Sequence, residues 1–381
     1  MMDLAAAASD HAAMHPAAVL ATAVAACLIL DPVAAQTPEA GAASADVLAE
    51  ARRRLAACGY AVPDGLREER RTTAQVLVDL DAQQDELMPE HAFELQHALF
   101  RALGLDVGRD AAELRERVVA GTAGGLGAFY DPLRKVFVLL ATGSRDVSEA
   151  LGGGLGPLVT HELVHSHQDT RDGGVVGFVG AARATLDEVL ARRIVLEGEA
   201  DFAAALAIGG EAAVARLGDG NMARTLNSVF AGELTAAVYD AGGRLARARF
   251  EAGGVDAVKA LWQRPPASAE QALHPDKLHA DEPREVSVPV AEGLTAARQT
   301  TLGELMVFSV LRQLGAGRLD AQLAAAGWDG DRLVAFDRGD ERDVALVWRT
   351  VWDREEDAAD FGRLLAAPGL GRVVVAGRVV D

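Results

Sequence analysis

The chain has 381 residues with 37 basic and 56 acidic side chains, for a formal net charge of −19. That balance excludes a nucleic-acid binder, whose phosphate contacts need a basic surface, and 50% hydrophobic residues exclude low-complexity disorder. Two cysteines, Cys27 and Cys58, build neither a disulfide framework nor a cysteine zinc knuckle.

Residues 17–30 form an apolar run too short to span a bilayer and suited to the core of a secretory signal peptide, with Val33-Ala34-Ala35 as the cleavage signal. No Lys or Arg precedes the run. A disordered Ala-rich tail is the plain alternative, and lipidation at Cys27 is a further one. The expectation is an exported chain, secreted or bound to the cell envelope. No later segment is long and apolar enough for an integral span, so none is expected in the mature chain.

Ala45 to Cys58 reads as a helix stopped by Gly59, and Leu66 to Arg71 as a strand. Thr72 and Gln75 form a capping box for a helix with Val76, Leu77 and Leu80 on its apolar side. Pro89 suits the first position of a helix running to Leu103, and Ala111–Val119 is another short helix. Leu126–Tyr130 and Val136–Leu140, separated by Asp131-Pro132, predict a β-hairpin. Helices follow at Pro157–Gln168 and Ala181–Ile208, joined by a Gly/Val loop at Gly173–Gly180. A helical stretch spans Asn221–Trp262, and the Pro-rich segment Arg264–Pro283 reads as loop. Helices at Leu302–Leu314, Asp320–Ala326 and Asp357–Leu365, with strands at Arg332–Phe336, Val344–Val351 and Val373–Val379, make a terminal α+β module. The fold class is α+β and predominantly helical. The expected divisions are a signal peptide at 1–35, a main region at 36–283 and the module at 284–381.

His161-Glu162-Leu163-Val164-His165 is an HExxH sequence. On a helix, positions i and i+4 lie about 40° apart, so both imidazoles reach one ion, and Zn2+ is the expected cofactor. Glu162 lies about 100° around from His161, placed to take a proton from a metal-bound water. With nine histidines in the chain, the motif arises by accident in roughly 1–2% of such sequences.

A catalytic zinc takes a third protein ligand. On the Ala181–Ile208 helix, Glu197 and Asp201 continue the stripe of Leu186, Leu190 and Ile194, while Glu199 falls on another side. Unpaired acids on a buried stripe are costly, and a metal and a histidine N–H compensate them. Glu197 is therefore the expected third ligand, and Asp201 the acceptor for the far nitrogen of a histidine, His161 first. A solvated acidic face, or Glu199 as the ligand, are the alternatives.

HExxH followed by a helix carrying ExxxD resembles the gluzincin, thermolysin-like metallopeptidases over about residues 126–205. The wider pattern (AFYDP, HELVHSHQD, EGEAD, PPASAEQALHP, GWDGDR) is similar to a group of uncharacterised bacterial and haloarchaeal surface or secreted zincin-like proteins. The resemblance implies a zincin-like core: a hairpin whose edge strand pairs with substrate, a motif helix and a glutamate helix. It implies His161, His165 and Glu197 as zinc ligands, Glu162 as general base and Asp201 as the residue that orients a histidine. The family also uses a His or Tyr to steady the oxyanion; His274 is the first candidate here and Tyr239 the second. The expected function is a zinc endopeptidase acting on a peptide or protein substrate. The competing expectations are an envelope-associated binding or scaffold protein with a structural or vestigial zinc site, and a zinc hydrolase acting on a non-peptide bond of the cell wall.

Overall fold

The computed structural model describes residues 43–105, 107–125, 127–140, 155–219, 231–290, 295–337, 344–365 and 373–381. The expected signal peptide, the Cys27 signal and the stretch 221–230 lie outside them. The described chain is α+β, predominantly helical, with two small sheets.

Helix α1 (Ala43–Ala57) ends in a turn at Gly59, whose φ of 84° favours a residue without a Cβ. Strand β1 (Arg67–Arg71) follows, then α2 (Thr73–Leu87), which begins with the expected capping box. Gln75 N donates to Thr72 Oγ1 (3.4 Å) and Thr72 N to Gln75 Oε1 (3.0 Å). Helix α3 (Ala92–Ala102) starts three residues after Pro89. Pro89 O accepts from Ala92 N in a turn, and His91 at φ 61° interrupts the helical path. Helix α4 (Ala111–Gly125) runs past Val119.

Strands β2 (Ala128–Asp131) and β3 (Val136–Leu140) form the predicted antiparallel hairpin. Asp131 Oδ1 accepts from Leu133 N and Arg134 N, which closes the turn. Strand β1 pairs in parallel with β3, giving the order β1-β3-β2. The apolar β3 is central, charged β1 guards one edge, and β2 is the other edge.

Helix α5 (Leu155–Gln168) carries the HExxH motif. The segment read as a Gly/Val loop is instead a short helix, α6 (Gly174–Gly180), which buries Val175, Phe178 and Val179. Its start uses Gly173 and Gly174 at positive φ (78° and 60°). Helix α7 (Leu186–Gly209) begins at a Thr185 cap rather than at Ala181, because the Thr185 hydroxyl accepts from Glu188 N (3.2 Å). Helix α8 (Glu211–Val214) follows, then α9 (Ala231–Lys259), kinked at Gly253-Gly254. Within the Pro-rich segment, Ser268 caps a short helix, α10 (Ala269–Leu273), where only loop was expected.

The C-terminal part holds β4 (Thr295–Thr300), α11 (Gly303–Gln313), α12 (Arg318–Ala325), β5 (Trp328–Asp337), β6 (Val344–Trp352), α13 (Glu355–Leu365), β7 (Val375–Ala376) and β8 (Val379–Val380). The sheet order is β4-β5-β6-β8-β7, antiparallel throughout. The single strand expected at Val373–Val379 is two short strands that turn near Gly377 (φ 59°). Strand β4 had no counterpart in the sequence reading. Asp331 pins the module: its buried carboxylate accepts from Leu302 N, Gly303 N and the indole N–H groups of Trp328 and Trp348.

Helix α7 is the spine. Its first half (Leu186, Leu190, Ile194) joins a buried cluster that includes Leu87 and Phe93 on one side and Met306, Trp328 and Phe361 on the other. Residues on both sides of position 284 thus share one core. Its second half (Ala200, Phe202, Ala203) joins a cluster with Phe129, Phe137 and Leu163. Among the described residues, no helix is long and apolar enough to cross a membrane.

Candidate metal centre

The motif helix and the glutamate helix pack together and bring five predicted residues, His161, Glu162, His165, Glu197 and Asp201, into one cluster. His161 Nε2 lies 3.1 Å from His165 Nε2 and 3.1 Å from Glu197 Oε2. His165 Nε2 lies 3.4 Å from that same oxygen. His161, His165 and Glu197 are all buried.

The far sides of the rings fix their protons. His161 Nδ1–H donates to Asp201 Oδ1 at 2.8 Å, the predicted pairing. His165 Nδ1–H donates to Gln168 Oε1 at 2.7 Å. The orientation of the Gln168 amide is set independently, because its Nε2 donates to Leu196 O (2.9 Å) and Glu199 Oε2 (3.2 Å). When neutral, both imidazoles therefore turn an Nε2 lone pair toward the carboxylate of Glu197. Three acceptor atoms so close repel unless a proton or a metal cation lies between them. Ligand atoms about 2.0–2.1 Å from a tetrahedral zinc stand roughly 3.3–3.4 Å apart, so the spacing and the donor set fit that ion.

Glu162 sits beside these atoms. Its Oε2 accepts from Tyr130 N at 2.8 Å, tying the motif helix to edge strand β2. Its Oε1 is buried without a hydrogen-bond partner among the described residues and lies 3.9 Å from His161 Nε2. Burial, with the Glu197 charge adding to it, pushes the Glu162 carboxyl up to about 7. Burial would also raise Glu197, but the two imidazoles hold it down to about 2. Burial opposes charge on the histidines. Asp201 and Glu197 nevertheless raise His161 well above its ordinary value, and Glu197 raises His165.

A narrow cleft of about 20 Å³ adjoins the cluster, lined by Glu162, His165 and Glu197 together with Phe129, Tyr130, Leu196 and Gln83 of α2. Tyr130 is held in its wall by a hydrogen bond from its hydroxyl to Asp169 Oδ2 (2.8 Å). Asp169 also accepts from Val175 N (2.9 Å), so it anchors the start of α6.

Other candidates go elsewhere. His274 is not brought to the cluster: its Nε2 lies 3.0 Å from both oxygens of Glu304, and it lines a separate cavity with Asp240, Arg244 and Phe308. Tyr239 does reach the cluster, its ring centroid 5.8 Å from that of His161. Glu199 is buried too, but bonds Arg171 through both oxygens (2.6 and 2.7 Å). His167 faces away and donates from Nδ1 to Ala61 O. Sequence reasoning missed Gln168 and Gln83. Gln168 lies three residues beyond His165 on the same helix, a spacing that signals a partner for that ring.

Glu270, Asp281 and Asp353 form a second acidic group. Lys277 Nζ serves all three, at 2.6, 3.1 and 3.1 Å, and staples the Pro-rich segment to the C-terminal part.

Residues 290–368 match the family model described as a domain of unknown function, DUF8575. The match covers most of the C-terminal part and none of the cluster. No curated protein and no solved structure matches the chain.

Proposed function

We propose that the chain is a zinc-dependent metallopeptidase with a zincin-like core, built from the β2–β3 hairpin, the motif helix α5 and the glutamate helix α7. The observation that carries this reading is the convergence of His161 Nε2, His165 Nε2 and Glu197 Oε2 beside an unpartnered oxygen of Glu162. A structural site needs no base next to its ion, so the placement of Glu162 favours hydrolysis over a scaffold role. His161, His165 and Glu197 would hold zinc, which supplies Lewis-acid polarisation of a carbonyl and lowers the pKa of water.

The chain's own groups do the rest. Tyr130 N–H fixes one oxygen of Glu162 and leaves Oε1 free to act as the base. Burial raises the affinity of this carboxylate for a proton, which suits a group that must accept one and return it. Glu162 accepts a proton as the water oxygen bonds to the scissile carbonyl carbon. It then delivers that proton to the amide nitrogen as the C–N bond breaks. Strand β2 lies at a sheet edge, where an extended peptide can add as a further strand. Asp201 and Gln168 keep both ligand rings in the tautomer that offers Nε2.

The test combines zinc analysis with digestion of a broad peptide library and mass-spectrometric mapping of the cuts. Glu162→Gln is expected to retain zinc while hydrolysis falls about 10²–10⁴-fold. Wild-type rates in that variant, or a purified chain with no affinity for zinc, overturn the reading.

A further inference from the structure

Gln83 is only 1% exposed, yet its Nε2 has no hydrogen-bond partner among the described residues. It sits on the buried stripe of α2 with Val76, Leu80 and Leu87, at spacings of a helix's inward face. Gln83 and Leu87 line the same narrow cleft as Glu162, His165 and Glu197. A buried amide with unmade bonds is costly, and such a group in a cleft wall calls for a ligand atom.

The chemistry of the lining says which atom. Glu162 and Glu197 offer carboxylate oxygens, and His165 has committed its Nδ1–H to Gln168. The Tyr130 hydroxyl proton goes to Asp169, and Tyr130 N–H to Glu162. Among the described side chains of the lining, Gln83 is left as the donor whose N–H is unspent. A peptide brings carbonyl oxygens into an acceptor-rich cleft, and these need a donor.

We infer that Gln83 is a substrate-binding residue that donates from its side-chain amide to a carbonyl oxygen of the bound peptide, next to the bond to be cut. This inference rests on the peptidase reading.

The test is Gln83→Leu, with zinc content, thermal unfolding, steady-state kinetics on the best-cleaved library peptide, and inhibition by a phosphinate analogue of that peptide. Leucine fills the site without an unpaired amide. The variant is therefore expected to keep its zinc and to unfold at the same or a higher temperature. It should lose about 10²-fold in kcat/KM and weaken phosphinate inhibition by a comparable factor. A purely structural glutamine gives the opposite pattern: a lower unfolding temperature with kcat/KM intact. That result, or kcat/KM within twofold of wild type at any stability, overturns the role of Gln83 and leaves the peptidase reading standing. A wild-type chain that holds zinc but cleaves no peptide in the library overturns both. If Gln83→Leu does not fold, Gln83→Met, of similar length and without an amide, carries the same comparison.

Discussion

Gln168 Oε1 lies 2.7 Å from His165 Nδ1, and it faces that way because Gln168 Nε2 is spent on Leu196 O and Glu199 Oε2. Asp201 does the same for His161, 2.8 Å from its Nδ1. Each of these rings is thus held by an acceptor that selects the tautomer with Nε2 free. Gln168→Leu and Asp201→Asn are each expected to weaken zinc binding by about 10–100-fold. Competition against a chromophoric chelator measures this. Affinity unchanged in both variants contradicts a shared metal on these rings.

At the proposed site a metal would compete with protons for the same lone pairs, which gives a pH dependence. Glu162 is raised from 4.5 to about 7, and both imidazoles are raised above 6.5. A group raised in the folded state contributes stability below its unfolded pKa and loses it as pH climbs through the folded one. The chelator-treated protein is therefore expected to lose stability progressively from about pH 4.5 upward, through and above neutrality. Zinc affinity should move the other way, gaining up to about tenfold per pH unit for each proton released. Thermal unfolding with and without zinc, across this range, gives two curves that draw apart as the pH rises. Parallel curves count against the cluster as the binding site.

The Glu199–Arg171 pair supports the same helix from its other side. Glu199 is almost fully buried, bonded through both oxygens, and the Arg171 guanidinium stacks on Trp262 at 4.9 Å from the ring centroid. Glu199→Leu leaves that cation without its partner in a largely buried place. The expected loss is about 3–5 kcal/mol in urea unfolding. A change below about 1 kcal/mol shows that the pair behaves as a surface ion pair.

What the sequence disclosed was local. The two histidines and Glu162 are legible because one helical turn joins them, and Glu197 and Asp201 because another does. The hairpin was legible because Asp131 closes its own turn. The angular argument also separated Glu197 from Glu199, which indeed point to different partners. It erred in treating only one side of α7 as inward. That helix has neighbours all round, so Glu199 is as buried as Glu197. What stayed hidden depends on contacts between distant segments. The parallel pairing of β1 with β3 joins Arg67 to Val136 across the hairpin. Gln83 reaches the cleft from α2, and His274 is drawn instead to Glu304. No periodicity within one element reports such meetings.

The closest of these meetings carries the last prediction. Gly198 stands between Glu197 and Glu199, where α7 crosses α9 at Gly242. A Cβ on Gly198 would come within 2.5 Å of the Gly242 Cα and carbonyl carbon, and one on Gly242 would meet Ile194 O at 2.6 Å. Backbone cannot yield as a flexible side chain does, so Gly198→Ala must push the helices apart. Overpacking of this kind costs about 1–3 kcal/mol. Because Glu197 is the adjacent residue, the same displacement moves its carboxylate relative to both imidazoles. Metal–ligand distances hold to within about 0.2 Å of their ideal values in well-formed sites. Zinc affinity should therefore fall along with stability, although position 198 offers no ligand atom. Gly177→Ala on α6 is the matched control, since a Cβ there meets nothing within 4 Å. Alanine in that exposed helical position is expected to be neutral or to stabilise by up to about 1 kcal/mol. Equal unfolding midpoints and equal zinc affinities for the two alanine variants would mean that the α7–α9 crossing does not set the position of Glu197.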